Sequence, residues 1–554
     1  GGRFQLTGVP LLAEGGGGDR GVLVEVVLGG VGAMVVLVLV FGSLVAGVPI
    51  LVAAVSILST FLALLGLSRL TEVSFVVQYL VALIGLGVAI DYSLLIVMRW
   101  REERARGADN ETAVRTAMAT AGRSVLFSGV TVAVSLAGLV AVPLPFLRSI
   151  GLGGLLIPLL SVLTALTLVP VVLAGIGPRL QWPRRTLSDP TSRRWAGLAG
   201  WVVGHRWLTI LGTVVVLLAL SSPLLTLRLG SPLLDAYGGS SAAASAAAAI
   251  RDAGIAPGVL RPTEVLTTPS AQSRVASQLG TVQGVAGVVA PSGTGWRQGG
   301  ASLLQVYTSA DPASSAGSDT VQRVRDTADA IGVRTGGTPA EDADFVRAVY
   351  GSAPWSLLVI VVVTFLLLAR ALRSFWLPVK ALVLNVLSIG AAYGITTLIW
   401  QKGIGTQAVF GSDASGAITI WVPVAVFAFL FGLSMDYEVF ILSRMRESYD
   451  VHRDTPRAVV DGISHTGKLV TSAALILFLA FVALSTVPSI DVKILATALA
   501  LGIAIDALVV RALLAPALVA VLGRANWTMP GWLSTVLMVP SGGAHRAGRR
   551  ATDG

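Results

Sequence analysis

Eleven stretches of this chain are apolar for long enough to cross a bilayer, for which about 20 residues suffice. They lie near 21–43, 47–67, 73–98, 124–144, 148–176 and 206–223, then 350–370, 375–397, 419–443, 468–488 and 491–522. The first is no signal peptide, because its apolar stretch is too long and a soluble-looking lead precedes it. Composition agrees: 54% of the 554 residues are hydrophobic and 13% charged, against about 25% charged in an ordinary soluble domain. The fold class expected is a polytopic α-helical membrane protein. With no cysteine, neither a disulfide framework nor a Cys-ligated metal is available. His205, His452, His465 and His545 fit no metal-binding spacing, so no metal site is expected. The net charge of +10 sits in short segments flanking the apolar runs. That is the pattern of cytoplasmic loops, not of a nucleic-acid-binding face.

Two of these runs carry a costly feature, and they are copies. Gly87-Val88-Ala89-Ile90-Asp91-Tyr92 is followed 345 positions later by Gly432-Leu433-Ser434-Met435-Asp436-Tyr437. A carboxylate in a lipid-spanning segment costs roughly 2.5–3.5 kcal/mol even on lenient insertion scales, and marks a pathway or a proton relay. At the same offset Arg99 matches Arg444, Glu102 matches Glu447, and Gly122-Arg123 matches Gly467-Lys468. Pro170 matches Pro516 with one residue of slippage. Five helices of one half therefore map onto five of the other, as duplication produces.

The halves are not complete equals. Residues 21–176 hold the first-half helices and 177–205 a linker; 206–223 is the first helix of the second half. Residues 224–349 form a soluble segment, 350–522 the remaining helices and 523–554 a tail. The soluble segment alternates a helix near 240–253, a strand near 262–268, a helix near 271–281 and strands near 284–290 and 302–309. A helix near 318–331 and a strand near 332–336 complete it, which predicts a small α/β sandwich. Since 206–349 has no counterpart in the first half, residues 1–20 read as the end of a missing first external domain, and the chain as part of a longer protein. Arginine-rich segments at 99–123, 177–206 and 444–468, with Arg546, Arg549 and Arg550 in the tail, fall on one side when eleven crossings alternate. That side is expected to be the cytoplasm, which puts 224–349 outside. The stretches 101–122 and 446–466 read as short amphipathic helices lying on the membrane.

Asp91 precedes Arg99 by eight residues, about 12 Å along a helix and close to the midplane of a core about 30 Å thick. Asp436 stands in the same relation to Arg444. Carboxylates so placed can take up and release a coupling proton, and Tyr92 and Tyr437 can each hydrogen-bond the carboxylate of the opposite repeat. The plainer alternative is that these acids cross-link helices; finding the pair twice at equal depth favours the relay. Glu438, two residues past Asp436 and matched by Ser93 in the first half, is closer to the cytoplasmic edge. A structural bond, partial exposure and a proton role all fit it. Ser128 can bond to the relay or to its own backbone. Asp506 is followed by Arg511 at five positions, a poor spacing for a same-face pair on an α-helix, so Asp506 reads as structural.

The Asp-Tyr helices, the run Asp436-Tyr437-Glu438-Val439-Phe440-Ile441-Leu442-Ser443-Arg444, the Asp506…Arg511 helix and the soluble segment resemble the MmpL branch of the RND transporters. The resemblance covers essentially the whole chain. It implies an RND-type pseudo-twofold bundle, twelve helices and two external porter domains in the family, of which this chain holds eleven and one. It also implies a bacterial inner-membrane exporter with a cytoplasmic C-terminus, driven by protons and not by a bound cofactor. The cargo implied is a lipid, glycolipid or other hydrophobic molecule, antibiotics included. Membrane lipids, and accessory periplasmic or membrane proteins, are the partners such a machine implies. By the same resemblance Asp91, Tyr92, Asp436 and Tyr437 form the relay centre, and Ser128 lies beside it.

Two other readings stand beside this one: a SecDF-like accessory of protein export, and a non-transporting bundle of the sterol-sensing kind. Midplane carboxylates in duplicate argue against the latter. An enzyme is not expected, because there is no nucleotide loop of the GxxxxGK[ST] type, no metal cluster and no nucleophile with a placed base.

Overall fold

The structure, a computed structural model, describes residues 6–13, 22–142, 144–183, 192–237 and 242–537, without the side chains of 13, 22, 23, 25, 26, 75, 352, 353, 356 and 436. Most of the expected domain remnant at 1–20, the linker arginines 184 and 185, and the tail beyond 537 lie outside the described residues.

The first half contains α1 (Val22–Phe41), α2 (Gly47–Leu67), α3 (Phe75–Ala105), α4 (Asn110–Val140) and α5 (Pro145–Leu180). After α6 (Arg193–Gly204), α7 (Arg206–Ser221) leads to the soluble domain. There α8 (Ala242–Asp252), β1 (Thr263–Thr267), α9 (Gln272–Gly280), β2 (Val285–Val289), β3 (Arg297–Gln298), β4 (Ala301–Thr308), α10 (Ser315–Ala330) and β5 (Arg334–Gly336) follow in order. The second half has α11 (Thr338–Leu372), α12 (Trp376–Thr396), α13 (Val422–His452), α14 (Thr455–Leu484) and α15 (Ile490–Ile505). A π-helical stretch, Asp506–Leu514, then passes into α16 (Ala515–Leu522). Among the described residues nine helices are long and apolar enough to cross a membrane, and Val27–Phe41 and Leu357–Leu372 are shorter apolar helices. The chain is a multi-pass membrane protein.

The soluble domain is a two-layer sandwich. Its antiparallel sheet runs β2-β4-β1-β5, with β3 on β4. Side chains alternate along β4, so Leu304 and Val306 point inward against Val275 and Leu279 of α9 and Val324 of α10. The domain does not end in a loop near 349: α11 starts at its edge and runs unbroken to Leu372. The short helical turn Val9–Ala13 rests on this domain, with Leu12 buried and Thr7 Oγ1 donating to the Ala243 carbonyl at 2.8 Å.

The two stretches expected as short separate surface helices are instead parts of longer helices. Residues 446–452 finish α13 and 455–466 begin α14, while 101–105 finish α3 and 110–122 run without a break into α4. Asp109 and Asp454, again 345 apart, are the N-caps that start these helices. From these caps the helices propagate onward, the first through a π-helical stretch at Met118–Gly122.

Both motif helices occupy the middle. The most apolar window of α3 is 100% buried and that of α13 82%, against 17% for α7. Their glycines explain how they get there. A Cβ on Gly87 would collide with the Leu477 side chain of α14, and one on Gly432 would meet Val132 Cα and Ser135 Cβ of α4, each at 3.3 Å. Val132 and Leu477 are themselves 345 apart. Each motif helix thus packs a glycine against the next helix of the opposite half, which is a pseudo-twofold exchange. At the Arg-rich end, Arg101 donates to the Phe41 carbonyl at 3.1 Å and its counterpart Arg446 to the Leu372 carbonyl at 3.5 Å. Arg444 reaches Glu102 across the repeats at 3.9 Å.

Candidate functional site

Desolvation forbids stray charge in the centre of such a bundle, yet the centre is polar. Asp91 on α3 is 5% exposed, and its carboxyl interacts with the Tyr437 hydroxyl of α13 and faces the Arg511 guanidinium. The structure therefore brings a first-half acid and a second-half tyrosine together. Tyr92 is buried and engaged in a polar or ring interaction of its own. The backbone places Asp436 on α13 at the position equivalent to Asp91; its side chain lies outside the described residues.

Arg511 organises the second half of the site. It forms an ion pair with Asp506, donates to the Ser434 carbonyl and to Ser434 Oγ at 3.2 Å, and lies over the Tyr437 ring at 4.6 Å. Ser434 Oγ donates in turn to Asp506 Oδ2 at 2.9 Å. The spacing of five, unfavourable on an α-helix, is satisfied because Asp506–Leu514 is π-helical. In that winding, hydrogen bonds run from i to i+5, and such segments cluster at functional sites. Sequence reasoning on α-helical periodicity missed this pair as part of the site. The signal was two opposite charges inside one apolar run.

Glu438 is buried, so the partial exposure considered from sequence does not occur. Lys380 of α12, also buried, is the opposite charge that acts on it most strongly, with Arg511 second. Glu438 Oε1 and Lys380 Nζ have no hydrogen-bond partner among the described residues. Lys380 went unremarked in the sequence because a lysine near the start of an apolar run resembles an interfacial anchor. In the first half the matching Ser93 bonds its own helix, to the carbonyls of Ala89 and Ile90 at 2.9 and 2.8 Å. Ser128 is buried on α4, and its Oγ has no hydrogen bond among the described residues. It is Ser135, about two turns along, that links α4 to α13, donating to the Ala428 carbonyl at 2.8 Å. Among the described residues no three His, Cys, Asp or Glu side chains converge as a metal site would require.

Comparison with known proteins places this bundle in a family. The MMPL family pattern matches residues 1–226 and 266–545. The chain belongs to the MMPL family. This is a family of RND-superfamily membrane proteins. MmpL11 of Mycobacterium tuberculosis, described as a heme uptake protein, is 35% identical over 531 residues, covering 91% of this chain and 54% of that protein. MmpL11 of Mycolicibacterium smegmatis, described as an exporter of mycolic acid-containing lipids, is 34% identical, covering 91% and 55%. The trehalose monomycolate exporter MmpL3 of Mycobacterium tuberculosis is 30% identical, covering 90% and 58%. The chain thus spans little more than half the length of these relatives. Among solved structures, SecDF from Thermus thermophilus superposes with a TM-score of 0.56 at 15% identity, covering 93% of this chain and 64% of that one. At that identity the likeness is one of fold.

Proposed function

We propose that this chain is the transport unit of a proton-driven exporter that moves a lipid, glycolipid or other hydrophobic molecule across the bacterial inner membrane. It works as a secondary active transporter, with no cofactor beyond the coupling proton. One observation carries the reading: a buried first-half carboxylate, Asp91, meets the second-half Tyr437 beside the Arg511–Asp506 pair. When Asp91 is ionised, the Tyr437 hydroxyl and the guanidinium compensate its charge. When it is protonated that compensation is released, and Arg511 remains bound to Asp506 and Ser434. Two arrangements of one interface, selected by a proton, are what alternating access needs. Asp436 and Tyr92 supply the second half of the relay by repeat equivalence, with Glu438 and Ser128 at its edges. The soluble domain stands outside the membrane and the C-terminus in the cytoplasm, following the arginine distribution.

The relatives named for lipid export support a hydrophobic cargo, and their identities of about a third set them apart from SecDF, which shares the fold alone. The experiment is export of the natural cargo by the complete natural protein carrying Asp91→Asn, Asp436→Asn or both, with membrane abundance measured in parallel. Asparagine keeps size and most hydrogen bonding but holds no titratable proton, so abundance should persist while export stops. Normal export by the double variant would refute proton coupling through this site.

A further inference from the structure

The polar centre is tied to the soluble domain by a second cluster at the far ends of the same helices. The segment leading from α7 into the domain, residues 228–233, is zipped onto residues 415–418. Ile418 N donates to the Arg228 carbonyl at 2.8 Å, Gly230 N to the Ile418 carbonyl at 3.2 Å, and Leu233 N to the Ser415 carbonyl at 2.9 Å. The chain leaves the domain through α11, where Tyr350 donates to the Ile420 carbonyl at 2.9 Å. Both connections of the domain thus clamp the short leader of α13, the helix that carries Tyr437.

The same leader is fastened to the last helix. Thr419 Oγ1 donates to Asp491 Oδ1 at 2.7 Å, and Asp491 is in the first turn of α15. Fifteen residues on, about 22 Å along the helix, the same rod ends at Asp506, which is bonded to Ser434 of α13. Two helices are therefore joined at both ends, by a polar contact at the centre and by another at the junction with the domain. Sliding one against the other at the centre must disturb Thr419–Asp491.

Arg261 of the soluble domain sits over this junction, 3% exposed. Its Nη2 donates to the Pro232 carbonyl at 2.8 Å, Nη1 is 3.5 Å from Asp311 Oδ1, and the guanidinium lies 5.9 Å from the Tyr237 ring centre. Asp342 of α11, near Ser231, and Asp491 of α15 lie farther off and add to the negative field around it. One guanidinium thus pairs with Asp311 of a domain loop and sits in the field of carboxylates from the exit helix and a bundle helix. Its Nε and Nη1 have no hydrogen-bond partner among the described residues. A buried cation with spare donors, beside further carboxylates, has alternative partners to move to when the helices around it shift.

We infer that Arg261, Thr419 and Asp491 are positioning residues through which the relay helices set the stance of the soluble domain. The inference rests on the relay reading above. Movement of α15 against α13 is read at Thr419–Asp491, redistributes Arg261 among Asp311, Asp342 and Asp491, and turns the domain on its two clamped connections.

The chain has no cysteine, so spin-label pairs can be placed without background. One pair, Ser270 with Ser68, reports the domain against the loop after α2; a second, Ala119 with His452, reports the bundle at its Arg-rich end. Distances are measured by pulsed EPR on the full chain in nanodiscs at acidic and mildly alkaline pH. Both pairs should shift with pH, and Asp91→Asn should abolish both shifts. Asp491→Asn and Thr419→Val should keep the bundle shift and lose the domain shift; Thr419→Val preserves side-chain shape and serves where Asp491→Asn fails to accumulate. A domain shift that survives Thr419→Val, or a bundle shift without any domain shift in the unsubstituted chain, overturns the inference. A bundle that does not respond to pH, or responds equally with Asp91→Asn, overturns the relay reading and this inference with it.

Discussion

Replacing Arg511 by glutamine strips one group of three roles at once. The guanidinium neutralises Asp506, donates twice to Ser434 and covers the Tyr437 ring at 4.6 Å. Asp506 would keep only the Ser434 hydroxyl, 2.9 Å away, while remaining buried. Breaking a buried pair from one side costs about 3–5 kcal/mol, because the surviving charge is uncompensated. That range is two to four orders of magnitude in the folded ratio, a large share of a stability of about 5–15 kcal/mol. Arg511→Lys keeps the charge but not the fork, and should lose about 1.5–3 kcal/mol, the worth of hydrogen bonds to a charged group. The decisive variant is double. Asp506→Asn with Arg511→Gln removes both charges, and should recover most of the loss in the single Arg511→Gln protein. Unfolding by denaturing detergent in mixed micelles, followed by fluorescence of the 12 tryptophans, gives the cycle. A double variant as unstable as the two singles summed would show that the residues do not act as a pair.

Three further expectations follow from local geometry. Asp342 lies outside the membrane, and burial pushes its carboxyl above the ordinary carboxylate range, with Ser231 and Arg261 pulling it back. Its folded form therefore holds the proton more tightly than the unfolded chain does, and its contribution to stability falls as pH rises between the two values. Asp342→Asn should flatten that slope in a thermal melt across the acidic range; an unchanged slope would refute it. Gly394→Ala would drive a Cβ into the Leu220 carbonyl of α7, so α12 and α7 must part at a cost of about 1–3 kcal/mol or more, seen as reduced accumulation in membranes. A cysteine at the exposed Ser270 should react with an impermeant reagent from outside the cell; labelling from the cytoplasmic face alone would invert the topology.

The sequence displayed what depends on pattern and concealed what depends on winding and approach. Long apolar runs and the constant offset of 345 are visible as text, and the helices and strands of the soluble domain lie within a few residues of their expected places. The stretches 101–122 and 446–466 read as separate short helices because amphipathic composition does not distinguish a short helix from the polar end of a longer one. The Asp506–Arg511 pair was misread because its register needs a π-helix, and a spacing rule assumes α-winding. Lys380 and Asp491 stood near the starts of apolar runs, where a charge reads as interfacial; only packing shows that one faces Glu438 and the other bonds Thr419. Gly390 and Gly394, by contrast, carry a readable small-xxx-small signature of close helix approach, and it is against Ser221 and Leu220 that they pack.

The duplication also explains why the charge is placed as it is. Backbone features obey the pseudo-twofold: the exchanged glycine contacts of Gly87 and Gly432, the caps Asp109 and Asp454, the Arg101 and Arg446 bonds to helix-end carbonyls. Side-chain charge does not. The first half contributes Asp91 and, at the places of Glu438 and Asp506, only Ser93 and Ser161, whereas the second half holds Glu438, Asp506, Arg511 and Lys380. A symmetric centre with a mobile proton would have two equivalent resting states and no preferred direction. Fixing a cation on one side, held by Asp506 and Ser434 and stacked on Tyr437, makes the two Asp-Tyr sites inequivalent before any proton arrives. The same side carries the soluble domain, the Thr419–Asp491 bond and Arg261. The charged half is thus the one whose helices are joined through Thr419–Asp491 to the connections of the soluble domain, and in the relay proposed above a proton exchanged at Asp91 acts on that half.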